Sequence, residues 1–308
     1  MFKKLIKLLL PLGMLSFILA GCGWPGLGGS TNDTVKIAAQ NTTEQQIMAS
    51  VIQQLIQHDT KLNAEVINNL GSGTVSFQAQ KRGEADLTAI RYNGTDYQTV
   101  LNGPQGKTPE QVNAYVKKEF QKRYDMTYFP TYGFADTYQF MVTQKYAKEH
   151  NLNTVSDLKK IAPNMKVGID QIWLNRKGDG YTDFKKRYGI KFGNIYPMQI
   201  GLVYNALASN KMDAVLGYST DGRIRSYNLK LLTDDKKYFP PYDASVVANN
   251  KSLKKYPQLK KVLHKLDGKI SLKTMQELNY QVDNNLKEPA VVAEEFLKAH
   301  NYFEGGKN

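Results

Sequence analysis

Four of the chain's 19 tyrosines stand where the predicted secondary structure changes, not inside an apolar stripe. Tyr92 and Tyr218 follow short apolar runs that predict strands, and Tyr138 and Tyr242 lie in segments that predict crossings between two lobes. In open α/β sheets, ligands bind beside the carboxyl ends of the strands. Because strand ends and crossings meet at one edge, we expect the four rings to face a common cleft.

A set of tyrosine rings is suited above all to holding a cation against the ring faces. A quaternary ammonium group carries a permanent charge and no N–H donor, so a carboxylate cannot select it by hydrogen bonding. Each ring face contributes roughly 0.5–2 kcal/mol to binding such a cation, with the larger values in a desolvated site. Any single tyrosine is expected to pack in the core or lie half-buried. The hypothesis of an aromatic cage therefore depends on the joint placement of the four.

Patterns typical of catalysis and of metal binding are weak. Residues 217–222, around Ser219, resemble a nucleophile elbow, but the second glycine is one residue too far for the G-x-S-x-G pattern. The four histidines are scattered, and none is spaced from another as metal ligands are. The sequence therefore predicts no catalytic residue, no metal ion and no cofactor.

Alternating apolar runs and amphipathic segments predict two α/β lobes. Strands are predicted over residues 35–39, 64–67, 85–90, 165–169, 214–216 and 244–248. Helices are predicted from Thr43, which forms a capping-box pattern with Gln46, from Thr108, and over residues 75–82, 154–161, 200–209, 257–266, 272–286 and 289–300. Short strand–helix–strand units predict parallel sheets. Crossings near residues 132–143 and 239–247 join the lobes into a hinged clamshell with the ligand between them.

The N-terminus has the composition of a secretory leader. Lys3, Lys4 and Lys7 precede an apolar run over residues 8–20, which is too short for a membrane span of about 20 residues. The run ends in Leu-Ala-Gly-Cys, which resembles a lipobox, so residues 1–21 are predicted as a signal peptide and Cys22 as the lipid-modified N-terminus. The alternative is an ordinary signal peptide with a chance cysteine. Residues 22–33 are rich in glycine and predict a flexible tether.

Composition places the chain among soluble globular proteins, with 41% hydrophobic and 22% charged residues. The formal net charge is +13, or +10 without the three lysines of the leader. A basic protein can suit nucleic acid or an anionic surface. Here the lysines are spread over predicted helices and not gathered in one tract. This favours a solvated surface beside an anionic membrane and cell wall, and predicts no nucleic-acid partner.

Five longer runs resemble a known family: RYNGTD at 91–96, WLNRKGDGY at 173–181, YPMQIGLVY at 196–204, LGYSTDGRI at 216–224 and FPPYDA at 239–244. Over essentially the whole mature chain, they resemble the osmoprotectant-binding lipoproteins of glycine betaine/carnitine/choline ABC importers. The resemblance implies an α/β, type II periplasmic-binding-protein-like clamshell, with lobe I at residues 34–135 plus 243–308 and lobe II at 136–242. It also implies a non-enzymatic protein, lipid-anchored at the outer face of the cell membrane, with the permease and ATPase subunits of the importer as partners.

The resemblance also implies the residues of the site. The aromatic cage is carried onto Tyr92, Tyr138, Tyr218 and Tyr242. The polar end, which binds a ligand carboxylate, is carried onto Gln40, Thr74 and Thr95, with the turn at 71–74 influencing ligand range. Gln40 and Thr74 precede predicted helices, whose free N–H groups favour an anion. The other interpretation of Thr74 is a helix cap, and the two are compatible.

Three alternatives stay open on the sequence. The same fold can bind an amino acid or a polyamine, although an amino acid would need an acidic residue placed for its ammonium group. A lipid-anchored hydrolase on an α/β scaffold is a second alternative, with Ser219 as its nucleophile. An adhesin or cell-wall interaction module is a third.

Overall fold

In a computed structural model, residues 34–104, 107–176, 180–240 and 242–304 are described. The predicted signal peptide, Cys22 and the tether up to residue 33 lie outside the described residues. Two five-stranded sheets, each flanked by helices, form two lobes, so the predicted two-lobe α/β architecture is confirmed. In the described part of the chain, no helix is long and apolar enough to cross a membrane.

The first lobe is built on the N-terminal strands and the C-terminal helices. Its strands are β1 (Thr34–Gln40), β2 (Asn63–Leu70), β3 (Leu87–Tyr92), β4 (Met126–Tyr128) and β10 (Ala244–Asn249), in the order β2-β1-β3-β10-β4. Its helices are α1 (Thr43–Asp59), α2 (Gly73–Lys81), α3 (Asn93–Thr99), α4 (Pro109–Tyr124), α10 (Asn250–Lys255), α11 (Gln258–His264), α12 (Leu272–Asp283) and α13 (Pro289–Ala299). Helix α1 buries Val51 and Leu55, four residues apart on one face, in the core beneath the sheet.

The second lobe is built on the middle of the chain. Its strands are β5 (Tyr138–Thr143), β6 (Lys166–Asp170), β7 (Asn194–Met198), β8 (Ala214–Tyr218) and β9 (Leu229–Leu231), in the order β7-β6-β8-β5-β9. Its α-helices are α5 (Gln144–His150), α6 (Gln171–Leu174), α7 (Tyr181–Tyr188), α8 (Ile200–Ala208) and α9 (Arg223–Ser226). One face of this sheet packs on aromatic rings, with Trp173 and Phe140 fully buried and 6.1 Å apart between ring centroids.

The sheets are mixed, so the prediction of parallel sheets is only partly right. Strand β1 is parallel to β3, and β6 is parallel to β7 and β8. Strand β10 is antiparallel to β3 and β4, and β5 is antiparallel to β8 and β9. The reason is that β5 and β10 are the strands that follow the crossings. Each enters its lobe from the junction and therefore runs opposite to strands that end there.

The helix predicted over residues 154–161 is present as a 3-10 helix, Val155–Lys160, with its capping box on Thr154. The predicted capping box of Thr43 and Gln46 is wrong. The N-cap of α1 is Thr42, and its side chain makes no capping bond. The hydroxyl of Thr43 instead donates to Asp283 Oδ1 at 2.6 Å, because α12 packs against the start of α1.

A buried ion pair fixes the end of β3 relative to two helix starts. Arg91 donates from Nε to Asp96 Oδ2 at 2.7 Å, and both side chains are at most 3% exposed. Arg91 Nη1 also donates to the carbonyl oxygen of Gly73 at 3.1 Å, at the start of α2. The hydroxyl of Tyr128 donates to Asp96 Oδ2 at 3.1 Å, and the Arg91 guanidinium lies 5.1 Å from the ring centroid of Phe77. The pair thus holds α2, α3 and β4 around the strand that ends at the junction.

Removing the carboxylate from this pair should be costly. Breaking a buried pair leaves an uncompensated buried charge and costs about 3–5 kcal/mol. We expect Asp96→Ala to lower the free energy of unfolding by that amount in urea denaturation. The matched control is Glu84→Ala, which breaks the Arg82–Glu84 pair, both of whose side chains are more than half exposed. It should cost less than about 1 kcal/mol. Equal losses in the two variants would contradict the role assigned to Arg91 and Asp96.

Candidate functional site

The strands that follow the crossings bring the predicted cage positions to the junction of the lobes. Strand β5 begins at Tyr138, whose Cα pairs with that of Tyr218, the last residue of β8. Strand β10 begins at Ala244, whose Cα pairs with that of Tyr92, the last residue of β3. Tyr242 lies two residues before β10, and its carbonyl oxygen accepts from the backbone N–H of Asp136 at 3.2 Å. All four positions therefore lie where strands end or begin beside the crossings.

Tyr138 and Tyr218 form the best-defined part of the site. Their ring centroids are 5.2 Å apart, and the hydroxyl of Tyr138 donates to Asp170 Oδ2 at 3.0 Å. The rings of Trp173 and Phe239 lie 6.2 and 6.0 Å from that of Tyr138 and form an aromatic wall behind it. Burial raises the pKa of both tyrosines, with further contributions from neighbouring negative groups. Both phenols therefore stay neutral at physiological pH.

Arg176 already places a cation against these rings. Its guanidinium carbon lies 5.8 Å from the ring centroid of Tyr138 and 5.7 Å from that of Tyr242. Its charge also lowers the pKa of Tyr218, in opposition to burial, which raises it. Two of the four predicted cage tyrosines, Tyr138 and Tyr242, thus lie against one guanidinium, and Tyr218 packs against Tyr138. Arg176 is not among the residues predicted for the site. In the sequence, only its position inside the run at 173–181, which resembles the family, points to it.

Tyr92, the fourth predicted cage residue, is held differently. It is half-buried against the core of lobe I, and its hydroxyl donates to Glu44 Oε1. Within the described ranges, no ring contact joins Tyr92 to Tyr138, Tyr218 or Tyr242. The structure therefore groups three tyrosines and leaves Tyr92 on the lobe I side of the junction.

Two acidic residues that the sequence prediction missed lie beside this junction. Glu44 is in the first turn of α1, and Asp136 is in the first crossing, two residues before Tyr138. Burial raises the pKa of Asp136 to about 7, against hydrogen bonds from Thr220 that lower it. Burial, followed by the charge of Asp136, raises the pKa of Glu44 well above its ordinary value. Both acids thus titrate far from where exposed carboxyl groups do.

The residues predicted for the polar end lie on lobe I. Gln40 is the last residue of β1. Its side-chain amide nitrogen faces Gly73, the residue before Thr74, and would lie 3.8 Å from a Cβ atom placed on that glycine. Thr74 is exposed in the first turn of α2, so the prediction that it precedes the helix is wrong. Ser72 is the N-cap and accepts from the N–H of Val75 at 3.2 Å, because the helix begins at Gly73. The hydroxyl of Thr74 is therefore not used for capping.

Thr95 lies elsewhere on the same lobe. It is half-buried in the first turn of α3, and its carbonyl oxygen accepts from the hydroxyl of Thr99 at 2.8 Å. The Arg91–Asp96 pair connects the start of α2, which carries Thr74, with the first turn of α3. The three polar residues thus come from one lobe, while Tyr138 and Tyr218 come from the other.

Ser219, the nucleophile of the hydrolase alternative, is part of the junction's backbone bonding. Its hydroxyl accepts from the N–H of Thr137 at 3.0 Å and lies 3.3 Å from the carbonyl oxygen of Ala135. None of the hydrogen bonds of the four histidines, all within described ranges, involves Ser219. In the residues that the structure describes, no group of three histidine, cysteine or acidic side chains is arranged to hold a metal ion.

Comparison with known proteins agrees with this architecture. The sequence model of the substrate binding domain of ABC-type glycine betaine transport systems matches residues 33–299. A carnitine transport binding protein of Listeria monocytogenes is 54% identical over 310 residues, which cover 99% of each chain. An ergothioneine transport permease/ergothioneine binding protein of Helicobacter pylori is 32% identical over 264 residues, 85% of this chain and 47% of that protein.

A solved structure gives the same result for the fold. The crystal structure of a glycine betaine/carnitine/choline ABC transporter protein is 51% identical and superposes with a TM-score of 0.82, over 88% of this chain and all of that one. The predicted periplasmic-binding-protein fold is thereby confirmed. The relatives are substrate-binding transport proteins, which removes the support for the hydrolase alternative.

The state of the two paired phenols can be measured. Because burial raises the pKa of Tyr138, its ionisation in the folded protein should be absent at about pH 10, where an exposed tyrosine is half ionised. We expect no difference in tyrosinate absorbance between the wild type and Tyr138→Phe up to that pH. In denaturant, the same pair of proteins should differ near pH 10. A difference near pH 10 in the folded protein would show that the ring of Tyr138 is open to water.

Proposed function

Because the chain belongs to the family of substrate-binding domains of ABC-type glycine betaine transport systems, we propose that it captures a small quaternary-ammonium osmoprotectant, such as glycine betaine, carnitine or choline, for import. The observation that carries this proposal is that Tyr138 and Tyr242 lie against one cationic group at the junction of the lobes, with Tyr218 packed against Tyr138. A site that stabilises a guanidinium on neutral ring faces offers the same attraction to a trimethylammonium group.

The ligands named for the relatives share a trimethylammonium group that fits this arrangement. Carnitine, glycine betaine and ergothioneine also carry a carboxylate, whereas choline carries a hydroxyl group in its place. In the proposed complex, the ammonium lies against the tyrosines and the carboxylate faces Gln40, Thr74 and Thr95 across the junction. Tyr92 completes the cage from lobe I. The ammonium competes with the guanidinium of Arg176 for the same ring faces, so Arg176 moves as the ligand enters.

Ligand binding between the lobes favours a closed clamshell. A ligand shifts a conformational equilibrium only by its difference in affinity for the two states. A molecule whose cation contacts lobe II and whose anion contacts lobe I binds the closed state better. The lobes already touch beside the site, because Asn279 of α12 donates from Nδ2 to the carbonyl oxygen of Thr220 at 2.8 Å. The closed form then docks on the membrane permease, and its ATPase powers uptake.

We also propose that the protein is held at the outer face of the membrane by lipid on Cys22. The support is the sequence alone: a basic start, a short apolar run and the only cysteine at its end. One acyl chain binds a membrane only marginally, and stable anchoring takes a second chain or a basic surface. The net charge of +10 after removal of the leader supplies the basic surface. Metabolic labelling with a fatty acid, lost in Cys22→Ala, tests this.

The cage is tested by removing single rings. Tyr218→Ala and Tyr242→Ala should each weaken binding of glycine betaine and carnitine by well over tenfold, because a desolvated ring face contributes about 2 kcal/mol. Tyr218→Phe and Tyr242→Phe should lose less, since the ring face survives. Dissociation constants are measured by calorimetry, with thermal unfolding to confirm folding. Normal binding by both alanine variants would show that the cage is misassigned.

Two controls sharpen this experiment. Tyr227 is 37% exposed on lobe II and donates its hydroxyl to Asn205 at 2.9 Å, so Tyr227→Ala should bind as the wild type does. A panel of glycine, proline and putrescine tests the amino-acid and polyamine alternatives. Tighter binding of any of these than of the methylated ligands would overturn the proposed ligand class.

A further inference from the structure

The end of lobe I that lies farthest from the junction can be traced from the directions of its elements. Strand β1 is parallel to β3, which ends at the junction with Tyr92, so the first residues of both strands lie at the far end. Helix α1 begins at the junction, where Glu44 accepts from Tyr92, and its 17 residues span about 25 Å. Its last residue, Asp59, therefore lies at the far end as well.

Two aspartates join several elements at this far end. Asp86, which precedes β3, accepts from the backbone N–H of Lys36 at 2.8 Å and from the hydroxyl of Ser252. Asp125, which follows α4, accepts at its carbonyl oxygen from the N–H of Asn250 at 2.9 Å and at Oδ1 from Nδ2 of the same residue at 2.8 Å. The start of β1, the end of α4 and the start of α10 thus lie together.

Six exposed lysines lie at this end, and we call them the basic pole. They come from several elements or their ends: Lys36 (β1), Lys61 (after α1), Lys81 (α2), Lys122 (α4), and Lys251 and Lys254 (α10). The end of α2 belongs here because Asn249 donates from Nδ2 to the carbonyl oxygen of Gln80 at 3.1 Å. In the residues that the structure describes, none of the six lysines forms an ion pair. Their charges are therefore available to an anionic partner.

The acids at the same end do not cancel this charge. Three of them pair with a basic residue outside the basic pole: Asp59 with Lys265, Glu84 with Arg82 and Glu119 with Arg123. Asp86 and Asp125 accept from neutral donors, and Glu65 is exposed on β2. In the described elements that carry or adjoin the six lysines, three acids without a basic partner thus lie at the far end, which is therefore positively charged.

The chain enters lobe I at this same end. Strand β1 begins at Thr34, twelve residues after Cys22. A stretch of that length reaches at most about 40 Å when extended, and about 20 Å on average when it is flexible and rich in glycine. If Cys22 carries lipid, as proposed above, the basic pole lies within reach of the bilayer surface. The proposed ligand site lies at the junction, at the opposite end of lobe I.

We propose that the basic pole binds the anionic phospholipid headgroups of the outer membrane face and is the second signal that anchors this protein. The inference goes beyond ligand capture and rests on the proposed lipid at Cys22 for its choice of partner. One acyl chain binds a membrane only marginally, and a basic surface makes the anchoring stable. Lysine suits this role because its compact charge on a flexible stem needs no fixed geometry at the headgroup. The ligand cleft, at the other end of the lobe, stays open to the exterior.

Vesicle binding tests the pole without the acyl chain. The mature chain with Cys22→Ala is sedimented with vesicles of equal parts phosphatidylglycerol and phosphatidylcholine, and with vesicles of phosphatidylcholine alone. We expect binding to the anionic vesicles only. Binding should be lost when the salt concentration rises from about 0.1 M to about 1 M, because the screening length falls from about 10 Å to about 3 Å. Equal binding to both kinds of vesicle, or none to either, would overturn the inference.

Two triple variants of equal net charge assign the binding surface. Each lysine close to an anionic membrane strengthens binding about fivefold. Lys122→Gln, Lys251→Gln and Lys254→Gln together should therefore weaken vesicle binding at least tenfold. The matched control combines the changes Lys148→Gln, Lys191→Gln and Lys211→Gln, at three exposed positions of lobe II. This control should bind as the parent chain does, and an equal loss in the two triple variants would show that net charge alone decides.

Two further measurements separate the possible partners and functions. The triple variant of the basic pole should bind glycine betaine with the affinity of the wild type, because the pole is remote from the junction. Failure of the wild type to bind any quaternary-ammonium ligand would refute the proposed function and leave the vesicle result standing. Isolated cell wall that carries phosphate polymers is tested beside the vesicles. Tighter binding to this wall than to phosphatidylglycerol would overturn the choice of the membrane as partner.

Discussion

The direction of the chain at its two crossings is the constraint on which the rest of the structure depends. A strand that starts at the junction must run antiparallel to a neighbour that finishes there. Strand β5 therefore begins opposite the end of β8, and β10 begins opposite the end of β3. This pairing brings Tyr92, Tyr138 and Tyr218 to the junction of the lobes, although no sequence repeat marks them. It also gives each lobe a direct covalent connection to the other beside the site, so a change in the crossings moves rings from both sides.

Charge burial at this junction has a cost that the fold offsets in two different ways. Arg91 and Asp96 form a direct ion pair, and an arginine fork with several donors satisfies the surrounding acceptors. Among the described residues, Glu44 and Asp136 form no ion pair, and burial raises the pKa of each carboxyl group. The first solution is rigid and fixes helix starts. The second favours neutral carboxyl groups that are hydrogen-bonded to neighbouring hydroxyls, Glu44 to Tyr92 and Asp136 to Thr220.

Much of the fold could be predicted from the sequence, because its signals are local. The apolar runs of β3 and β8 mark their own ends, so Tyr92 and Tyr218 were placed correctly at strand ends, and Thr108 was recognised as a helix start. The antiparallel direction of β5 and β10 could not be predicted from the sequence. It depends on the fact that the chain enters each lobe at the junction, which local residue patterns do not show. Ser72, and not Thr74, caps α2, because the helix begins two residues before the first apolar side chain.

The site was harder to predict, for a physical reason that its residues share. The role of Arg176 depends on two rings that lie 38 and 66 positions away in the chain. Glu44 and Asp136 are ordinary acids in the sequence, and only burial against Thr220 and Asn279 makes them unusual. The tyrosines were accessible to sequence reasoning because one residue type recurs in one kind of position. A pair of acids from distant elements carries no such pattern.

The division of the proposed site between lobes has a consequence for ligand range. Among the proposed cage rings, that of Tyr138 is fixed by strand pairing and by packing against Trp173 and Phe239, so its replacement would disturb the core of lobe II. Gln40, Thr74 and Thr95 lie at the ends of elements in lobe I, and Thr74 is exposed and makes no capping bond. A substitution there changes the polar end while the cage stays intact. In the proposed complex, the side of the site that contacts the cation is thus separate from the side that contacts the rest of the ligand.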